Sequence, residues 1–378
     1  MYRSLLTAIL FLFSSLIFAQ NQTSVYIVAH PDDWQLFMGN DAYNDIQDTS
    51  NKVIFIITTS GDASYNAPKP NLRFARSRER GVLNSVRFCA DMKTVVDSGC
   101  RTKRVTINHH QLLCYPYKHV KTYFMRLPDG CYSAGYLGQS LEYLHDEKIS
   151  RITSIDSAET YEGWQDVVQT IRAIITTETK DQNNVSVNYQ DHDRDYNTGD
   201  HPDHLFTGLA ASQAAAAIPM IKHRGYMDYR LAKQPINLSS EEIAIKAGIF
   251  ALADFGITEE GDGTSFNKSH LAFVTRTYSR RLPSVDSAGN PFFPPDIKVF
   301  PNPASGAAVM VSFSVNTTEQ AGLWLRDLQG NTIWKDTAIP TVKGDNLYTI
   351  PLTGIVPGIY LITLKTSLGN DQVKLVRL

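Results

Sequence analysis

Two short runs, Val25-Tyr26-Ile27-Val28-Ala29 and Val53-Ile54-Phe55-Ile56-Ile57-Thr58, are apolar at nearly every position rather than at every second one. A strand with one face in water alternates polar and apolar residues. Unbroken runs therefore imply strands buried on both faces, as in a parallel sheet covered by helices on either side. Helical patterns near Asn71–Val86, Gly163–Thr177, Leu205–Ala217 and Ser239–Phe255 supply the covering layers. Strands alternating with helices predict an α/β fold: a Rossmann-like three-layer domain with a mostly parallel sheet, over residues 20–282.

The pattern changes at Pro283. Pro283, Pro291, Pro294 and Pro295 mark a linker over residues 283–296 that cannot be helical. Short β-like runs then follow at Ile297–Phe300, Val309–Val315, Leu323–Leu328, Thr332–Lys335, Leu347–Ile350 and Ile359–Lys365. Turn signals such as Gln329-Gly330-Asn331 and Leu368-Gly369-Asn370 separate several of them, which predicts a small all-β sandwich over residues 297–378.

At the other end, Arg3 precedes an apolar run from Leu5 to Phe18, and Ala19 places a small residue where a signal peptidase would cut. The run is short for a membrane span, and no second stretch reaches spanning length. A signal peptide over residues 1–19 is expected, with an uncleaved anchor as the alternative and no transmembrane segment in the mature chain. The net charge of −2 offers no basic surface for nucleic acid. All four cysteines, Cys89, Cys100, Cys114 and Cys131, fall in one segment. Export and an even count favour two disulfides there, with all three pairings open and buried free thiols as the alternative.

Two motifs carry the chemistry: Ala29-His30-Pro31-Asp32-Asp33 directly after the first strand, and Asp200-His201-Pro202-Asp203-His204 opening a helix. In an open α/β sheet, ligands bind beyond the carboxyl ends of the strands. A catalytic zinc takes three N or O ligands and keeps one position open, and His30, Asp33 and His204 would supply them. Asp32, beside a ligand, could take a proton from the attacking water, and His201 could face the substrate carbonyl. Each motif alone also suits a helix start, because an Asp there caps backbone N–H groups. Capping does not call for three imidazoles, and together the motifs favour a metal site.

His-Pro-Asp-Asp after a first strand, with a distant His-Pro-Asp-His, resembles the PIG-L/LmbE-like N-acetylglucosaminyl de-N-acetylases. Thr59-Ser60-Gly61, Arg76-Ser77-Arg78-Glu79 and Leu127-Pro128-Asp129-Gly130 agree with that family in order. The resemblance implies His30, Asp33 and His204 as metal ligands, Asp32 as general base and His201 as oxyanion or acid partner. It also implies substrate contacts from Arg76 and Asp129, and Zn2+ as cofactor, with Fe2+ as the alternative. Trp34 departs from the family, which usually has Glu there; this puts the pocket rim in question. The implied reaction is hydrolysis of an N-acetyl amide on an amino-sugar glycan or glycoconjugate.

Val299-Phe300-Pro301-Asn302-Pro303, Leu325-Arg326-Asp327 and Pro357-Gly358-Ile359-Tyr360, with basic residues at Lys374 and Arg377, resemble a type IX secretion sorting domain. That resemblance implies the type IX secretion machinery as partner and a secreted or cell-surface location. Two rival functions stand beside the deacetylase. Two His and one carboxylate also make the site of Fe(II) oxygenases, though strand–helix alternation argues against their barrels. A non-catalytic glycan binder would have no use for Asp32. Asp191-x-Asp193-x-Asp195 lacks the Gly and Glu of a calcium-binding EF-hand loop and is read as a solvated acidic loop, with a looser calcium site as the alternative. His109 and His110 are read as structural, and His145, His192 and His223 have no partner spacing that points to a site.

Overall fold

The computed structural model describes residues 22–378 except 66, 94, 97, 98, 132, 133, 181, 183 and 287. The signal peptide expected over 1–19 lies outside these. Along β1 (Thr23–Val28), Val25 and Ile27 enter one core while Tyr26 and Val28 enter another. Along β2 (Lys52–Thr59), Ile54 and Ile56 join the first core, and Val53, Phe55 and Ile57 the second. The unbroken apolar runs are thus the interior of a sheet buried on both sides.

That sheet also contains β3 (Lys103–Ile107), β4 (His110–Tyr117) and β5 (Val120–Leu127). A separate short pair, β6 (Ile152–Thr153) with β7 (Thr160–Tyr161), precedes its last members. These are β8 (Val185–Gln190), β9 (Lys222–Tyr226) and β10 (Ser279–Leu282). The order is β10-β9-β8-β1-β2-β5-β4-β3. The central five strands are parallel, and antiparallel strands finish both edges.

One face is covered by α4 (Leu141–His145), α5 (Trp164–Glu178) and α6 (Pro202–Ala216). The other carries α1 (Asp33–Phe37), α2 (Gly39–Gln47), α3 (Leu72–Asp91), α7 (Ser240–Thr258) and α8 (Lys268–Val274). Buried Ala210, Ala211, Ala214 and Ala215 let α6 lie close to the sheet. Gly208 is the closest approach: a Cβ there would stand 1.9 Å from the Gln190 carbonyl oxygen. The missing side chain sets the height of α6 over β8, and so the position of the second motif.

Segment 283–294 is not a free linker. Its strands β11 (Ser284–Val285) and β12 (Pro291–Phe292) pair, Phe292 is buried, and the Val285 carbonyl accepts the Met220 N–H at 3.0 Å. The chain divides into compact units between Pro294 and Pro295.

The second unit has a sheet of β13 (Lys298–Phe300), β14 (Ala308–Val315) and β17 (Gly344–Pro351). Its other sheet has β16 (Thr332–Pro340), β15 (Gln320–Asp327), β18 (Gly358–Thr366) and β19 (Gly369–Arg377), in that order. Val309, Val311 and Phe313 of the first sheet share one core with Leu323, Leu325 and Ile362 of the second. β19 follows the predicted Leu368-Gly369-Asn370 turn and was not among the sequence-predicted strands.

The expected disulfides are absent: no pair of the four cysteines is bonded. The sheet separates Cys114 from Cys89 and Cys100. Cys114 is buried on one face, Cys89 and Cys100 pack on the other, and Cys131 follows β5 in the candidate site.

Candidate active site

The site forms where the parallel strands end. His30 follows β1, Asp33 opens α1, Asp129 follows β5, and the chain after β8 leads to His201 and His204 on the first turn of α6. This is the edge at which open α/β sheets bind ligands. His204 is fully buried, and His30, Asp33, Asp129 and His201 are nearly so.

Three side chains converge. His30 Nδ1 lies 3.1 Å from His204 Nε2, while Asp33 Oδ1 lies 3.3 Å from His204 Nε2 and Asp33 Oδ2 lies 3.4 Å from His30 Nδ1. A tetrahedral zinc with bonds of about 2.0–2.1 Å has ligand-to-ligand edges of about 3.3–3.4 Å, close to each of these separations. The far side of each ligand is held. His204 Nδ1 faces Asp200 Oδ1 at 2.8 Å, and His30 Nε2 faces Asp203 Oδ2 at 3.3 Å. Asp33 Oδ2 accepts the His30 N–H at 2.7 Å and the Gln190 side-chain amide at 3.1 Å. A carboxylate behind each imidazole favours a proton on that outer nitrogen, which turns the inner one toward a metal when an ion is bound. Two inward-facing nitrogens 3.1 Å apart favour positive charge between them, a proton or a metal cation, and the donor set fits a divalent metal.

Electrostatics agree. Burial opposes charge on His30 and His204, yet the Asp33 carboxylate and its neighbours outweigh it and raise both imidazoles well above their ordinary value. Asp33 is drawn well below the carboxylate range despite burial, by His204 and His30. Burial pushes Asp203 up to about 6, and burial with Asp200 nearby raises Asp228 strongly. Among the described residues, Asp203 Oδ1, Asp200 Oδ2 and both Asp228 oxygens are buried without a hydrogen-bond partner. The pocket is short of positive charge.

Asp32 is the N-cap residue of α1, but its side chain caps nothing; its Oδ1 accepts a hydrogen bond from Arg78 Nη2. Arg78 Nη1 also donates to the Gly61 carbonyl at 2.7 Å. His201 does cap α6, its Nδ1 accepting the Asp203 N–H at 3.1 Å. An imidazole can therefore cap a helix, contrary to the sequence argument, and here capping leaves the proton on Nε2. Burial, then the charges of His30 and His204, lower His201 to about 3, so it stays neutral at ordinary pH.

A cavity of about 530 Å³ opens over these groups, within the range of small-molecule sites. His30, Asp32, Asp33, Asp129 and His201 line it, and His204 stands behind them. Arg76 does not; it is exposed on α3. Two residues along a helix turn the side chain by about 200°, so Arg78 takes the inward place expected of Arg76. Trp34 is not at the rim either: it is fully buried, with its ring 4.6 Å from that of Phe55. Asp191 and Asp193 are bridged by Arg280 at 2.6 and 2.7 Å, so the acidic loop is partly neutralised from within the chain.

Sequence reasoning missed Arg78, Asp200, Asp203, Asp228, Tyr229 and His270. Asp200 was readable, standing four residues before His204 and hence on its side of the helix start. Nothing local marked Asp228, Tyr229 or His270.

The family model for GlcNAc-PI de-N-acetylases, PIG-L, matches residues 25–215, and that for the secretion system C-terminal sorting domain matches residues 298–377. No curated protein matches the chain. Among solved structures, N,N'-diacetylchitobiose deacetylase from Pyrococcus horikoshii shares 14% identity over 63% of this chain and 70% of its own, with a TM-score of 0.34. An engineered protein shares 8% identity over 95% of this chain and 94% of its own, with a TM-score of 0.16. Fold, motif order and family match agree: the chain belongs to the PIG-L family of GlcNAc-PI de-N-acetylases and ends in a secretion sorting domain.

Proposed function

We propose that this exported de-N-acetylase uses one divalent metal ion, zinc in preference to iron(II), held by His30, Asp33 and His204, to remove an acetyl group from an amino-sugar substrate. The observation that carries the reading is the convergence of two imidazole nitrogens 3.1 Å apart with the Asp33 carboxylate, whose two oxygens lie 3.3 and 3.4 Å from them. A bound ion would act as a Lewis acid toward water and the acetyl carbonyl.

The chain's own groups do the rest. Asp32, oriented by Arg78, receives the proton of the attacking water. The His201 Nε2–H donates to the carbonyl oxygen as it gains negative charge. The leaving nitrogen takes its proton from Asp32 or His201. Asp129 accepts the Cys131 N–H at 2.7 Å and lines the cavity; in this reading it accepts a hydrogen bond from a sugar hydroxyl. The sorting domain supports export to the cell surface or beyond, and residues 1–19 would act as the signal peptide. Among the described residues no helix is long and apolar enough to cross a membrane.

Elemental analysis of purified protein, alongside acetate release from N-acetylglucosamine oligomers, tests the reading. One metal ion per chain and acetate production are expected. Active protein free of metal would overturn it.

A further inference from the structure

We infer that Glu79 and Asp156 are positioning residues: through Arg126 they hold a bulge in β5 that seats Asp129 beside His30 and His201. The inference rests on the reading of Asp129 as a sugar contact given above.

β5 runs parallel to β2 with Phe124 opposite Ile57, yet Leu127 and not Arg126 stands opposite Thr59. Two residues of β5 thus face the single residue Thr58, which is a β-bulge. Arg126, inside it, has φ of +57°. A residue with a side chain rarely adopts this left-handed conformation unless its surroundings enforce it. They do so here. Arg126 Nε and Nη2 donate to the two oxygens of the buried Glu79 on α3, both at 2.6 Å, and Nη1 donates to Asp156 Oδ2 at 2.8 Å. A forked pair of this kind fixes direction as well as charge. Asp156 lies between β6 and β7, where the Ser154 hydroxyl donates to its Oδ1 at 2.8 Å. The neighbouring Ile155 N–H donates to the Arg126 carbonyl at 2.9 Å, so backbone and side chain are gripped together.

The bulge draws β5 back by one residue at the sheet edge where the site forms. Three residues on, the Asp129 N–H donates to Asp62 Oδ1 at 2.9 Å, and Asp129 Oδ1 comes to 3.8 Å from His30 Nε2 and 3.9 Å from His201 Nε2. Regular pairing would carry Asp129 about 3.3 Å farther along the strand, away from both rings. An ion pair that served stability alone would have no call for an arginine in a conformation that suits glycine. Glu79 also follows Arg78, which holds Asp32, so successive residues of α3 set two carboxylates of the site.

The test is a double-mutant cycle on metal-loaded protein, with kcat and KM read from acetate release on N-acetylglucosamine oligomers. Asp129→Asn and Arg126→Met should each raise KM about tenfold and change kcat less. Because Arg126 acts through Asp129, the double variant should lose no more than Asp129→Asn alone. Glu79→Gln keeps the shape of the side chain but breaks the fork; it should follow Arg126→Met, and takes its place in the cycle if that variant does not fold. A crystal structure of the clamp variant reads position without turnover: the bulge should relax and Asp129 should leave His30. Wild-type KM in either single variant, additive losses, a loss confined to kcat, or an unmoved Asp129 overturns the proposal. A metal-loaded wild type that releases no acetate overturns the deacetylase reading instead, and the crystal structure alone then decides the clamp.

Discussion

The C-terminal sandwich and the α/β unit treat buried polarity in opposite ways. The sandwich core is aliphatic and aromatic throughout, and its buried polar residues are three threonines and Asp371, whose Oδ2 accepts the Ile297 N–H at 2.9 Å. The α/β unit buries His30, His201 and His204 with Asp33, Asp129, Asp200, Asp203 and Asp228, and leaves several of their oxygens without a partner. An unpaired buried carboxylate costs folding free energy, so it persists where a ligand supplies the missing charge. The contrast locates the chemistry without reference to any motif.

The strongest way to break that contrast is His204→Ala. It should lose the metal and cut acetate release on the order of 10⁴-fold or more; a variant with metal still bound one to one would remove His204 from the ligand set. Asp32→Asn should keep the metal, measured by elemental analysis, and lose about 10²-fold or more in rate. Metal loss in this variant would mean that Asp32 is a ligand. Arg78→Ala, which frees the Asp32 carboxylate, should cost about 10- to 100-fold in kcat with metal retained. Unchanged kcat would show that the pairing is structural only.

The sandwich side of the comparison predicts small effects on chemistry. Leu325→Ala should destabilise that unit by about 2–5 kcal/mol in urea unfolding, yet leave acetate release by the folded protein unchanged. A chain ending at Pro294 should likewise keep its turnover, and loss of turnover with the fold intact would bring the sandwich into the site. Ending at Leu282 instead would cut away the β11–β12 pair that the first unit holds. The smallest expected effect is that of reductant. With no disulfide to break, it should leave Tm unchanged, whereas losing even one would cost about 2–5 kcal/mol.

Much of this was written in short stretches of sequence. The two-sided core follows from residues 25–28 and 53–57, whose apolar run leaves no face for water. The site edge follows from strand–helix order, and the three proposed ligands from two motifs. What was not legible depended on rotation and distance. Arg76 and Arg78 are equivalent in a string, and only the packed helix decides which one turns inward. Asp228 and His270 reach the site through folding of segments far along the chain. Part of the disulfide expectation failed because Cys114 was divided from Cys89 and Cys100 by a sheet that the count could not see.

Gly208 has no functional group, yet the geometry gives it mechanical authority over the site. The Gln190 carbonyl against which it rests belongs to the residue whose side chain tethers Asp33, while His204 lies one turn, about 6 Å, back along the same helix. A single methyl at 208 would act as a wedge between helix and sheet. It would lever His204 one way and, through Gln190, drag Asp33 another, opening the donor set from both sides. Gly208→Ala should therefore register as weakened metal affinity in a chelator competition, a failure of alignment in a protein whose every donor atom is still present.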